Sequence, residues 1–152
     1  MTKYGDYQTL IEQIRSAANF DLVAIALFEP AENQHVLKWK YASGNLNDRF
    51  KKVVLQTGKG IAGMVFKTGK PLLIRDTAEF ADSKNLFNYP ILTFERLKSL
   101  GAVTLWHNGR VAGVLLAGFR ESGLMTEEKL LLLTAEAAKG IGELNGKELM
   151  LN

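Results

Sequence analysis

The sequence predicts an α+β fold in which one mostly antiparallel β-sheet carries helices on both faces. Two pairs of apolar segments, each joined by a short turn, indicate two β-hairpins, and the Asn108-Gly109 turn is the strongest hairpin signal in the chain. Amphipathic stretches before the first hairpin and after the second indicate helices at both ends. Helices in these positions would cover both faces of the sheet, because each element must bury its apolar side against another.

Five segments are predicted to form the strands. Residues 22–29 are nearly all apolar, which is typical of a central strand covered on both sides. Pro71 fits the start of a strand or an edge strand, because proline cannot donate a ladder hydrogen bond. Gly113 and Gly118 indicate close approach of another backbone or a ligand, or a bulge, in the last strand. The five segments are residues 22–29, 35–41, 71–75, 99–107 and 110–119.

Helices are predicted over residues 6–18, with Asp6 as N-cap, and from Asn47 or Asp48 through Leu55. A short helix should begin with Pro90 at its first position and continue to about residue 98. The last helix should run from Thr126, its N-cap, to about residue 150. Residues 76–88 are mixed and polar, as expected of a long excursion that could act as a lid.

Trp39 admits two interpretations. Alternation along residues 35–41 predicts that Leu37, Trp39 and Tyr41 share one side of the strand, with Lys38 and Lys40 on the other. Trp39 is then either an aromatic residue of the core or a wall and hydrogen-bond donor of a pocket.

A glycine-rich loop runs into a short apolar helix over residues 57–69. Gly58, Gly60 and Gly63 permit positive φ angles and close backbone approach, so that amide N–H groups can face a cavity. Pro90 starts a second helix and leaves the N–H groups of Ile91 and Leu92 as predicted free donors. Two such sets of donors facing one pocket would suit a small anion.

The composition excludes several classes of function. The 152 residues carry a formal charge of +3 and predict one domain over residues 1–152. The lysines are scattered, which argues against binding of nucleic acid. The chain has no cysteine, which excludes disulfides, thiolate metal sites and cysteine nucleophiles. No segment resembles a signal peptide or a membrane span, so we expect a cytoplasmic protein.

The remaining motifs do not predict catalysis or a metal site. Gly58, Gly60 and Gly63 fit G-x-G-x-x-G but follow no predicted strand of a βαβ unit, so a dinucleotide site is rejected. The two histidines, His35 and His107, are expected at the surface without metal-binding partners. Glu29 and Glu95 are expected to be isolated, solvated carboxylates. We therefore expect that the protein is not an enzyme and has no cofactor.

The order of elements resembles the GAF domain, a small-molecule sensor fold related to PAS. Two motifs carry the resemblance: Gly58-Lys-Gly-Ile-Ala-Gly63 with the following Val65-to-Pro71 segment, and the hairpin from Ser99-Leu-Gly-Ala-Val-Thr-Leu to Arg110-Val-Ala-Gly-Val-Leu-Leu. The resemblance extends over about residues 6–146. It implies that the glycine-loop helix lines a ligand pocket.

Within the family, the sequence looks most like the NreA-type nitrate receptors, which are stand-alone GAF proteins of nitrate respiration. The supporting segments are residues 36–45, 60–63 and 86–91. The resemblance implies that nitrate contacts the Trp39 side chain, backbone amides of the glycine-loop helix and the turn before the Pro90 helix, with an apolar lining beside them. The residues implied are Trp39, Val54, Leu55, Ile61, Ala62, Tyr89, Pro90 and Ile91.

The resemblance also implies a partner. A sensor histidine kinase of a nitrate- and oxygen-responsive two-component system would be restrained by the nitrate-free receptor and released when residues 76–92 close over nitrate. The first and last helices could also support a homodimer. Two alternatives stay open: a GAF domain for another ligand, such as a cyclic nucleotide or a metabolite, or an interaction module that binds no ligand.

Overall fold

The structure, a computed structural model, describes residues 7–30, 35–80 and 88–139. It confirms the predicted α+β architecture. Six strands form one sheet in the order β3-β2-β1-β6-β5-β4, and every neighbouring pair is antiparallel. The strands are β1 (Leu22–Pro30), β2 (His35–Ser43), β3 (Val54–Gln56), β4 (Leu72–Ile74), β5 (Ser99–His107) and β6 (Arg110–Phe119). The helices are α1 (Tyr7–Ala17), α2 (Gly60–Thr68), α3 (Thr77–Phe80), α4 (Pro90–Phe94) and α5 (Glu127–Ala138), with a 3-10 helix at Arg49–Lys52.

Two buried clusters lie on opposite faces of the sheet. On one face, α1 and α5 pack over side chains such as Ile25 and Leu115. On the other face, α2 and α4 pack over alternate residues of the same strands, such as Ala26 and Leu116. We call this second group the α2-face cluster. Because consecutive strand residues point to opposite faces, the apolar β1 and β6 supply both clusters.

A β-bulge in β2 changes the predicted face of one aromatic residue. Ile25 pairs with Tyr41 and Ala26 with Trp39, so that Lys40 has no residue opposite it on β1. The extra residue reverses the alternation. Trp39 therefore belongs to the α2-face cluster, whereas Tyr41 packs on the other face, where its ring stacks on Tyr7 at 5.1 Å between centroids. The prediction that Trp39 and Tyr41 share one side was wrong.

The prediction of a helix from Asn47 or Asp48 through Leu55 was also wrong. A 3-10 helix of four residues, Arg49–Lys52, is followed by the short strand β3, which pairs with β2. Short apolar runs of three or four residues fit a strand and a helix equally well by periodicity. The pairing with β2 decides in favour of the strand.

The second hairpin forms as predicted. Asn108 and Gly109 both have positive φ angles, 52° and 82°, which a two-residue type I′ turn requires. A Cβ atom at Gly113 would lie 2.5 Å from the carbonyl oxygen of Ala26, and one at Gly118 would lie 2.9 Å from that of Ser99. The glycines of β6 therefore permit close approach of the neighbouring backbones.

The start of α5 follows the prediction, whereas α4, which was predicted to reach about residue 98, ends at Phe94. Thr126 caps α5, because its Oγ1 accepts a hydrogen bond from the N–H of Lys129 at 3.2 Å. Asp6 and residues 140–150 lie outside the described residues, and so do residues 81–87 of the predicted excursion. None of the helices in the described ranges is long and apolar enough to cross a membrane.

Candidate functional site

The glycine loop packs tightly against the end of β3. The N–H of Gly58 donates to the carbonyl oxygen of Gly63 at 2.8 Å, and the N–H of Lys59 donates to that of Gln56 at 3.0 Å. A Cβ atom at Gly63 would lie 2.5 Å from the oxygen of Gln56. Gly60 has a φ of 66°, and its missing side chain leaves room for Leu55. These contacts fix where α2 begins.

The first turn of α2 is buried and has no side-chain cap. Its N-cap residue is Lys59, whose side chain makes no capping hydrogen bond. The first N–H groups of a helix have no partner within the helix, and the helix dipole gives them partial positive charge. Ile61 and Ala62, which belong to this turn, are both buried in the α2-face cluster. Their amides are donors that carry no titratable proton.

Trp39 is buried in the same cluster, with only 1% of its surface exposed. Its indole Nε1 has no hydrogen-bond partner among the described residues. Buried polar atoms are paired in the large majority of cases, and an unpaired one costs about 1–3 kcal/mol. Trp39 is therefore a core aromatic residue whose indole N–H is left without an acceptor among the described residues, and its role in a pocket stays a prediction.

The segment Tyr89–Ile91 contributes to the site differently from the prediction. Pro90 occupies the first position of α4 after the N-cap residue Tyr89, as predicted. The N–H of Leu92, which was predicted to be free, donates to the carbonyl oxygen of Tyr89 at 3.0 Å, so that prediction was wrong. The tight turn that begins α4 uses this donor. Ile91 is buried in the α2-face cluster, and Tyr89 packs against it.

An aromatic contact links α3 to this segment. The rings of Phe80 and Tyr89 meet edge to face at 5.0 Å between centroids. Thr77, in α3, donates through Oγ1 to the carbonyl oxygen of Leu97 at 3.0 Å. The start of the 76–92 segment is thus packed on residues at both ends of α4.

The predicted lining residues fall into two groups. Leu55 belongs to the α2-face cluster, whereas the side chain of Val54 is 55% exposed. Neighbouring residues of a strand point to opposite sides, so the side chain of Val54 cannot line the same pocket as that of Leu55. The structure places six of the eight predicted residues in or against the α2-face cluster, with Pro90 between Tyr89 and Ile91 at the start of α4, whereas Val54 lies outside the cluster. That these residues bind a ligand stays a prediction.

A buried ion pair beside α4, between Glu95 and Arg120, was not predicted from the sequence. Glu95 is 0% exposed, and its Oε1 accepts from Nη2 of Arg120 at 2.8 Å and from the N–H of Leu46 at 2.8 Å. Its Oε2 has no hydrogen-bond partner among the described residues. The expectation of a solvated Glu95 was wrong, because a guanidinium 25 residues later in the chain pairs with it.

Other charged groups lie at the surface. Glu29 is not isolated, because it pairs with Lys40 and with Lys38, whose Nζ lies 3.4 Å from Oε1. His107 is exposed, and the side chain of His35 lies outside the described part of the structure. Within the described residues, no group of three or more His, Cys, Asp or Glu side chains could hold a metal ion.

Comparisons with known proteins show which family and which solved structures this chain is similar to. A sequence model of the GAF domain family matches residues 7–138. A solved structure of a Staphylococcus aureus NreA protein mutated in its nitrate-binding site is 40% identical, with a TM-score of 0.72 over 76% of this chain and 83% of that chain. A hypothetical protein from the same organism, SA1058, is also 40% identical, with a TM-score of 0.72 over 76% of this chain and 93% of that one.

A more distant structure shares the fold alone. The free methionine-R-sulfoxide reductase of Neisseria meningitidis is 18% identical, with a TM-score of 0.67 over 86% of this chain and 70% of that chain. No curated protein sequence matches the chain. The family match spans nearly all of the described residues and agrees with the sheet order, the glycine-loop helix and the second hairpin. The chain belongs to the GAF domain family.

Proposed function

We propose that this GAF domain is a cytoplasmic nitrate receptor. The observation that carries the proposal is the indole Nε1 of Trp39, which is buried without a partner among the described residues. It lies in the same apolar cluster as the uncapped first turn of α2 and the first turn of α4. We infer that nitrate accepts from this indole and from backbone amides of Ile61, Ala62 and Ile91, with Leu55 and Tyr89 beside it.

The chemistry of these donors suits nitrate. The anion is planar and singly charged, and its three oxygens accept hydrogen bonds in one plane. An indole N–H and backbone N–H groups lose no proton near neutral pH, so they would hold nitrate over a broad pH range. The apolar surroundings disfavour sulfate and phosphate, because burying a doubly charged anion among few donors costs more. A buried lysine would discriminate less between these anions.

The size of the ligand limits its affinity. Nitrate has four heavy atoms, and the best small ligands gain at most about 1.5 kcal/mol per heavy atom. The most favourable binding free energy is therefore roughly −6 kcal/mol, or a Kd of about tens of micromolar. Such a receptor responds to abundant nitrate rather than to traces.

We further propose that nitrate acts on a partner, a sensor histidine kinase of a nitrate- and oxygen-responsive two-component system. The resemblance to NreA-type receptors implies this partner, whereas the 40% identical NreA structure supports the nitrate site alone. In this scheme, the nitrate-free receptor restrains the kinase and binding relieves the restraint. Nitrate can shift the complex only by the difference between its affinities for the free and the kinase-bound receptor.

A sensor role fits the residues better than an enzymatic role. Two proteins of similar fold are named as free methionine-R-sulfoxide reductases, and they are only 18% and 16% identical to this chain. Reduction of a sulfoxide by a thiol needs cysteine, and this chain has none. We therefore treat nitrate as a ligand that is bound and released unchanged.

Calorimetric titration tests the proposal. We expect saturable one-to-one heat with nitrate and none with sulfate, and a loss of at least about tenfold in affinity for Trp39→Phe, because a hydrogen bond to a charged group contributes about 1.5–3 kcal/mol. The matched control is Trp106→Phe, because the Nε1 of Trp106 already donates to Oγ1 of Thr104 at 2.9 Å. Equal affinity in both variants, or no heat at millimolar nitrate, would refute the site.

A further inference from the structure

A surface groove lies between the loop after β2 and the end of α4. Its volume is about 500 Å³, and it opens widely to solvent. Six residues from two separate stretches of the chain line it: Leu46, Asn47, Arg49, Thr93, Phe94 and Arg96. We call it the two-arginine groove. The amide of Asn47 donates to the carbonyl oxygen of Phe94 at 3.2 Å and joins the two walls.

The groove carries positive charge that no ion pair among the described residues neutralises. Two of its six lining residues are arginines, and none is a carboxylate. None of the ion pairs among the described residues involves Arg49 or Arg96. The 3-10 helix that supplies Arg49 also carries Lys51 and Lys52. Clustered cations of this kind attract anionic partners and orient them during encounter.

Arg96 occupies a backbone position that favours glycine. Its φ is 53°, in the left-handed region, and the only other non-glycine residues with positive φ in the described ranges are two asparagines, Asn19 and Asn108. The N–H of Leu97 donates to the carbonyl oxygen of Leu92 at 3.0 Å, which completes the helix-ending turn usually closed by glycine. Arginine costs conformational energy here, and strained residues of this kind cluster at functional positions.

The groove also offers apolar surface. Leu46, one of its lining residues, is 49% exposed. The ring of Phe94 is half-buried, and the guanidinium carbon of Arg49 lies 6.0 Å from its centroid. A guanidinium near an aromatic ring is partly desolvated and held in place. The groove thus combines apolar side chains with two arginines, one of which lies near an aromatic ring.

These features favour a protein partner over a small molecule. Sites for small molecules bury most of the ligand surface, whereas this groove is open to solvent. Arginine and aromatic residues are enriched at protein interfaces. We propose that the two-arginine groove docks a partner protein whose binding segment combines acidic side chains with an apolar one.

The position of the groove links it to the ligand site. α4 is five residues long, with Ile91 in the α2-face cluster at one end and Phe94 in the groove at the other. Glu95, between Phe94 and Arg96, is held by Arg120 and by the N–H of Leu46, another groove residue. We expect a shift of α4 at one site to move the other. This coupling rests on the proposed nitrate function, whereas the docking surface does not.

Selection of peptides tests the docking surface. Random peptides displayed on phage are selected on the full chain and counter-selected on the double variant Arg49→Ala, Arg96→Gly. We expect the surviving peptides to carry at least two carboxylates and an apolar residue, and their binding to weaken as salt is raised. Survivors without enrichment of acidic residues, or peptides that bind both proteins equally, would overturn the proposal.

Single variants separate docking from folding. Arg96→Gly should weaken the selected peptide at least tenfold while the unfolding temperature stays equal or rises, because glycine relieves the left-handed strain. Arg110→Ala, at an exposed arginine of the second hairpin, is the matched control and should bind normally. If Arg96→Gly binds the peptide as tightly as the unmodified chain, the groove is not the docking surface.

Titration of the peptide in nitrate tests the coupling. Nitrate at 10 mM should change the Kd of the peptide at least threefold, and the peptide should change the Kd of nitrate by the same factor, because coupling is reciprocal. Sodium sulfate at equal ionic strength is the control. An unchanged peptide Kd with measurable nitrate binding would overturn the coupling alone. Absent nitrate binding with retained peptide binding would overturn the nitrate function and leave the docking surface standing.

Discussion

Glu95 and Arg120 form a buried ion pair that fastens the end of α4 to the sheet. Arg120 Nη2 lies 2.8 Å from Glu95 Oε1, and Arg120 Nε donates to the backbone oxygen of Glu95 at 2.9 Å. The same guanidinium donates through Nη2 to the carbonyl oxygen of Gly44 at 3.1 Å. One arginine therefore connects α4, the loop after β2 and the end of β6. The orientation of α4 depends on this connection.

Glu95→Ala should destabilise the fold by about 3 kcal/mol, because removal of one partner leaves the other charge partly buried and unpaired. Urea unfolding followed by circular dichroism measures the difference. Arg75→Ala is the control, because Arg75 pairs with Glu127 through side chains that are both mostly exposed, and it should cost less than about 1 kcal/mol. Similar losses in the two variants would contradict the anchoring role of Glu95.

Gly63→Ala should destabilise the fold by about 1–3 kcal/mol, although alanine is favoured over glycine in an open helix. The added Cβ would lie 2.5 Å from the carbonyl oxygen of Gln56, so the glycine loop must move. Nitrate affinity should fall with the stability, as measured by calorimetry.

The control for Gly63 is Gly123→Ala. Gly123 has a φ of 77°, and its added Cβ would meet no atom within 4 Å. Its cost is backbone strain of about 1 kcal/mol, with no change in nitrate affinity. If Gly63→Ala is as stable as the unmodified chain and binds nitrate normally, then the loop does not hold the site.

Glu29 should make stability depend on pH. Hydrogen bonding to Lys40 first, then to Lys38, and the charges of both lysines hold the pKa of Glu29 below its ordinary value of 4.5. Because the folded-state pKa is depressed, the stabilisation is present above pH 4.5 and is lost as the pH falls through the lower folded-state value. Glu29→Gln should therefore be less stable than the unmodified chain at pH 7.

Urea unfolding of Glu29→Gln and of the unmodified chain, at pH 7 and at about pH 3, measures the difference in stability between them. This difference should also shrink at high salt, because Glu29 and the two lysines are exposed to solvent. The difference between the two proteins should be smaller at the lower pH. A difference that is the same at both pH values would contradict the role of the lysines.

Local signals predicted several parts of the fold correctly. Asn108-Gly109 specifies its turn through the φ angles of two adjacent residues, and Pro90 specifies the start of α4 through its own ring. Thr126 caps α5 through a neighbour three residues away. Each of these features depends on residues close in sequence, so the chain alone suffices to predict them.

Features that depend on residues far apart in the sequence were not predicted. The bulge at Lys40 arises from the register between β1 and β2, and it moved Tyr41 to the other face. The burial of Glu95 depends on Arg120, which lies on another element. For the site, the resemblance selected Trp39 and α2, but only the structure separated Leu55 from Val54, because strand β3 was not predicted.

The indole proton of Trp39 offers the most direct test of the nitrate site. In a 15N-labelled protein, the two tryptophan indole signals are assigned with Trp106→Phe and followed by NMR during titration with nitrate. We predict a saturable downfield shift of the Trp39 signal, as its Nε1–H gains an acceptor, and little change in that of Trp106, which already donates to Thr104. A Trp39 signal that stays in place up to millimolar nitrate would contradict the account.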